Sequence, residues 1–165
     1  MPSRPHLRLD GLSVIIALSL ILCPSRASAE RVRVTNLSNV NFGLISNLQV
    51  ESRRSQNVCV YANSSRSSYS VYAYGSAPGS AFALTNGSHS LAYGVQWSGI
   101  GGQTSGVALA PNVVLAGQTT VAQHQTCSNG PTTSASLSIV LPASELSQAR
   151  EGTYSGSLTL VIAAE

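Results

Sequence analysis

Apolar and polar residues alternate at every second position in run after run of this chain, and each run soon ends in glycine, serine, asparagine or proline. Side chains on a strand point alternately to its two faces, so such a pattern predicts short, half-buried strands. "RVRVTNL" (Arg31 to Leu37) alternates Val32 and Val34 with arginine. "NVCVYA" sets Val58 and Val60 on one face, with Cys59 and Tyr61 on the other. "YSVYAYG" groups Tyr69, Val71 and Ala73, and "AFAL" (Ala81 to Leu84) continues the pattern. In "LAYGVQW" the apolar face is Leu91, Tyr93, Val95 and Trp97, and "ASLSIVLP" alternates Leu137, Ile139 and Leu141 with serines and Val140. "TYSGSLTLVI" alternates Tyr154, Leu158, Leu160 and Ile162, with Gly156 in the same register. "NSSRSS", "GSAPGS", "TNGSHS" and "SNGPTT" read as turns, and "GIGGQTSG" as a flexible hairpin loop. The one helical signal, Ala143 to Ala149 after Pro142, is long enough for a single turn. About seven to nine short strands with such turns predict an all-β fold, an antiparallel β-sandwich.

The N-terminus locates the chain. Arg4 and Arg8 precede an 11-residue apolar run, Leu12 to Leu22, and "CPSRASA" ends at Ala29. That is the layout of a secretory signal peptide over residues 1–29, with cleavage after Ala29. The apolar run is far shorter than the roughly 20 residues a membrane-crossing helix needs, so no stable membrane insertion is expected once it is removed. Residues 30–165 are then one domain's worth of chain. They carry six arginines, five glutamates and no lysine or aspartate, so the +3 of the full chain falls to about +1. A nearly neutral, serine-rich chain has no electrostatic footprint for nucleic acid and suits an extracellular or periplasmic setting.

Two cysteines remain after Ala29, Cys59 and Cys127. In an oxidising compartment an even pair reads most simply as a disulfide. The rival is a metal site of Cys59, Cys127, His124 and His89; His124 and Cys127 have ligand-like spacing, but no second paired motif joins them.

Catalytic chemistry is poorly provided for. A serine nucleophile needs a base and a group to orient it, and no aspartate stands available to orient His89 or His124. Glu145 and Glu151 flank a turn and do not read as a hydrolytic pair. "GIGGQTSG" lacks the lysine and following helix of a phosphate-binding loop. The expectation is a protein that is not an enzyme and needs no cofactor.

The order of motifs, from the N-terminal strand through "NFG" (Asn41 to Gly43), "VCVYA", "YSVYAYG" and "LAYGVQW" to the C-terminal "GTYSGSLTLVIAAE", resembles the spore coat protein U-like subunits of archaic chaperone–usher pili. Gly152 is fourteenth from the C-terminus, where chaperone–usher pilins often carry glycine, whereas Ala164 replaces their common penultimate aromatic residue. The resemblance implies an immunoglobulin-like sandwich that is incomplete, missing its last strand. It also implies a periplasmic chaperone, an outer-membrane usher and other pilus subunits as partners. Such a chain would be exported through the inner membrane to the periplasm and end at the cell surface in a fimbrium, as a structural subunit assembled by donor-strand complementation.

Within that frame Tyr154, Leu158, Leu160 and Ile162 are the candidate wall of an acceptor groove, since only Ala163, Ala164 and Glu165 follow to cover the strand's edge. Val32, Val34 and Leu37 are a candidate donor segment or a first strand. Their alternation is broken at Asn36, which favours a minor or tip subunit that accepts a strand without donating one. The competing reading is a self-contained secreted binding domain or adhesin, with Tyr72, Tyr74 and Trp97 facing a ligand. Their place in regular strands favours core packing instead.

Overall fold

The computed structural model describes residues 30–64 and 66–165; the expected signal peptide and its cleavage after Ala29 lie outside the described residues. Ten strands follow one another: β1 (Val32–Thr35), β2 (Ser52–Ala62), β3 (Ser68–Gly75), β4 (Ala83–Asn86), β5 (His89–Ala92), β6 (Gly94–Ser98), β7 (Val107–Leu109), β8 (Val114–Thr119), β9 (Ala135–Leu141) and β10 (Leu158–Ala164). One helical turn, α1 (Ala143–Leu146), sits after Pro142. The strands form a five-stranded sheet in the order β1-β2-β9-β6-β7, a three-stranded sheet β10-β3-β8, and a β4-β5 hairpin, with every pairing antiparallel. The fold is an all-β antiparallel sandwich.

Period-two alternation becomes the inter-sheet core. Tyr69, Val71 and Ala73 point inward from β3 and are fully buried, as are Val58 and Val60 of β2. They meet Val95 and Trp97 of β6 and Leu137, Ile139 and Leu141 of β9. The Tyr69 and Trp97 rings meet edge to face, 6.4 Å apart, and the Trp97 Nε1–H donates to the Tyr69 hydroxyl at 3.3 Å. The buried indole N–H thus finds its acceptor in the buried phenol oxygen. Cys59, on the other face of β2, is bonded to Cys127 across a separation of 68 residues. With Ala122 and Tyr61 the pair forms a small cluster of its own, outside the main core. The two sulfurs bond each other, so the thiolates of the rival metal reading are not free to ligate.

Several sequence expectations need correction. The run from Leu91 to Trp97 divides at Tyr93: β5 pairs with β4 and β6 with β9, although the face remains buried. The cause is the Tyr93 N–H, which bonds the Phe82 carbonyl at 2.9 Å. The expected strand from Tyr154 begins only at Leu158; before it, an isolated bridge joins Ser155 to Thr85, drawing the chain to the β4 hairpin. The "GIGGQTSG" loop is stitched down. Gly102 N–H donates to Asn57 Oδ1 (2.7 Å), Gln103 N–H to Ser136 Oγ (3.0 Å), and Ser138 Oγ and Arg53 Nη1 donate to the Thr104 carbonyl. Tyr72 and Tyr74 are half-buried on the outer face of the three-stranded sheet, not in the core, while Trp97 is fully enclosed.

Candidate functional site

A groove of about 1390 Å³ opens along one side of the sandwich, where the two sheets do not meet. Its floor is apolar: Leu137, Ile139 and Leu141 of β9, with Leu91, Tyr93 and Leu146 beside them. Burial pushes the Tyr93 hydroxyl above the ordinary tyrosine pKa, as expected of a phenol facing hydrocarbon.

One wall is the irregular segment 37–45. It runs beside β2 without a backbone ladder and is held by side chains. Gln56 Oε1 accepts from the Ser38 N–H (2.9 Å) and hydroxyl (3.0 Å), and Gln56 Nε2 donates to the Ser38 carbonyl (3.3 Å). A side-chain amide thus stands in for a neighbouring strand. Arg54 lies 5.8 Å from the Phe42 ring centre and donates to the Asn41 and Phe42 carbonyls. This wall carries apolar side chains into solvent: Leu37, Val40, Leu48 and, 96% exposed, Leu44.

The opposite wall is the segment from Arg150 to Ser157 and the start of β10. Gly152 has φ +139°, and a side chain there would collide with Asn86, whose amide reaches the Glu151 carbonyl. Only glycine lets the chain pass that corner. Tyr154 is half-buried, and its hydroxyl accepts the Arg150 N–H at 3.1 Å. Leu158, Leu160 and Ile162 all point inward from β10 and pack on the core.

Backbone geometry makes this wall reactive toward another strand. Ser76 N–H bonds the Ser157 carbonyl, and Glu165 N–H bonds the Ser68 carbonyl. Hydrogen-bonded pairs alternate along an antiparallel ladder, so Thr159, Val161 and Ala163 spend their amides on β3. The N–H and C=O groups of Leu158, Leu160, Ile162 and Ala164 therefore face away from β3, and among the described residues no strand pairs with that edge.

Of the residues singled out from sequence, Tyr154, Leu158, Leu160 and Leu37 line the groove. Ile162 does not, although it shares the β10 inner face. Val32 and Val34 stand in β1, paired with Ala62 and Val60 of β2. The disulfide lies apart, and His124 Nδ1 bonds Thr126 and Ser128 in an exposed turn. Sequence reasoning singled out Leu37 and the Asn41 to Gly43 motif but did not make segment 37–48 a wall of the groove. Its apolar residues Leu37, Val40, Leu44 and Leu48 are a scatter that fits neither a strand nor a helix period.

No family model matches the chain, and no curated protein does. Among solved structures the chain is similar to one described as a chaperone–tip adhesin complex vital for synergistic activation of CFA/I fimbriae biogenesis. The TM-score is 0.53 at 14% identity, over 82% of this chain and 41% of that one. The chain thus spans less than half the length of the chain it matches, and the likeness is one of fold: a sandwich of a kind found in a fimbrial assembly complex.

Proposed function

We propose that the chain is a non-enzymatic structural subunit of a surface pilus or fibre, completed by a strand from another protein. A periplasmic chaperone would supply that strand first and a neighbouring subunit later, at an outer-membrane usher, after export through the inner membrane. The spore coat protein U-like subunits remain the family whose motif order it resembles. A minor or tip position suits it, because β1 is engaged within its own sheet.

The contrast among sheet edges carries this reading. Exposed edges invite strand addition, and proteins usually blunt them. β1 is four residues long, carries Arg33 and is preceded by Arg31, β7 is three residues, and β8 is bulged against β3 opposite Ser70. β10 offers seven regular residues, uncharged, bordering an apolar groove. Strand addition would satisfy the open amides and bury the leucines together. The fold likeness to a fimbrial complex supports the same reading.

The test is periplasmic expression alone and with a candidate periplasmic pilus chaperone, followed by thermal unfolding. Aggregation or proteolysis alone, with rescue as a chaperone complex, is the expected result. A stable monomer that unfolds cooperatively without a partner would sink the proposal.

The outer face of the three-stranded sheet favours a second reading, a binding domain. Tyr72 lies directly between Val161 and Val114, beside Tyr74 at 5.7 Å between rings. Replacing both tyrosines by alanine would then abolish adhesion while leaving subunit folding intact.

A further inference from the structure

The groove does not run the length of β10, and its end tells what it can hold. Leu158 and Leu160 border the opening, whereas Ile162 does not. At the Ile162 end β1 lies against β10, and Val32 and Val34 pack on the same core as Ile162. The chain itself therefore closes the far half of the seam, although β1 bonds only to β2.

We infer that the accepted strand is short: an extended segment with about three large apolar side chains at alternate positions, pairing with Leu158 and Leu160 and stopping before Ile162. This rests on the strand-acceptance reading and adds the length and chemistry of the donor. At a fully extended rise of roughly 3.3 Å per residue, the stretch beside Tyr154 to Leu160 is at most about 20 Å long, and only Leu158 to Leu160 of it belong to β10. Over Leu137, Ile139 and Leu141, which repeat at every second residue of the floor, the inserted side chains must be apolar. Charged donor residues are tolerated at one end only. Arg150 and Glu151, the only charged groups lining the groove among the described residues, stand beyond Tyr154, away from β1. The exposed rim of Leu37, Val40, Leu44 and Leu48 is what such a strand would cover. β1 thus acts as a stop that sets the donor's register, because a strand pushed further would meet Val32 and Val34.

Amide hydrogen exchange with a synthetic strand tests the length. The probes are alternating valine–threonine peptides that carry lysines only at the end meant to lie beside Glu151, with cores of about seven and about eleven residues. The full subunit is expected to show exchange slowed at least about tenfold at Leu158 and Leu160, with Ile162 and Ala164 unchanged. Both peptides should bind equally well. In V32S/V34S, which loosens the stop, protection should spread to Ile162. Protection of all four amides in the unaltered protein would overturn the short-donor inference and leave strand acceptance standing. Protection of none would overturn strand acceptance and this inference with it.

Discussion

Tyr69 reports the state of the core through its proton. Burial raises its pKa above 10.0, and the Trp97 N–H, which favours the phenolate, only partly offsets this. Tyr93 is raised by burial too. The folded state therefore holds these protons more tightly than the unfolded chain does. The resulting stability is fully present below the ordinary tyrosine value and is lost as pH rises from there through the folded pKa. Urea unfolding should accordingly show stability falling above about pH 10, with a shallower fall in Y69F. Gly75 is the second sensitive point. A methyl at that position would overlap the Ala81 carbonyl oxygen, a backbone atom that cannot swing aside. Gly75→Ala is expected to cost about 2 kcal/mol or more in chemical denaturation. Removing the disulfide with C59S/C127S, which frees a loop of 68 residues, should cost about 2–4 kcal/mol while leaving the inter-sheet core in place, since the bond sits outside it.

Among elements, β1 has the clearest test. Its ladder pairs Val32, Arg33, Val34 and Thr35 with the end of β2. Deleting residues 30–36 removes that ladder and two half-buried valines, an expected loss on the order of 3 kcal/mol in unfolding experiments. A fully stable deletion variant would show that the segment is free to act as a donor. Legibility also varied by element. β6 was readable because Val95 and Trp97 point inward and its outward residues are polar; β3 and the end of β2 were readable by alternation alone, whereas the start of β2, Ser52 to Gln56, has no apolar residue to announce it. β9 was readable as a strand, yet Ser136 and Ser138 look solvent-facing in sequence and are fully buried, bonded to the Ile100 and Thr104 carbonyls of a covering loop. β7 and β8 went unseen, since "VALAPNVVLAGQT" has apolar residues on both faces and is broken by Pro111 and Gly117. The same limit applies to the groove. Its β10 wall follows from alternation, whereas segment 37–48 is placed by Gln56 and Arg54, contacts that no local pattern announces.

For the molecule as a whole, the order in which partners become available matters. Ser55 of β2 meets Ser138 of β9 across 83 residues of chain, and that pairing forms the middle of the larger sheet. β3 likewise waits for β10. Sheets built from such distant pairings fold slowly, typically in milliseconds to seconds, because loop closure must precede any reward from contact. Until β9 arrives, β2 lacks its longest ladder, from Ser52 to Val58, and the chain displays its apolar segments to whatever lies nearby. Topology alone therefore opens an interval during folding in which capture competes with aggregation. A helper that meets the nascent chain during that interval acts on folding speed as much as on the finished shape.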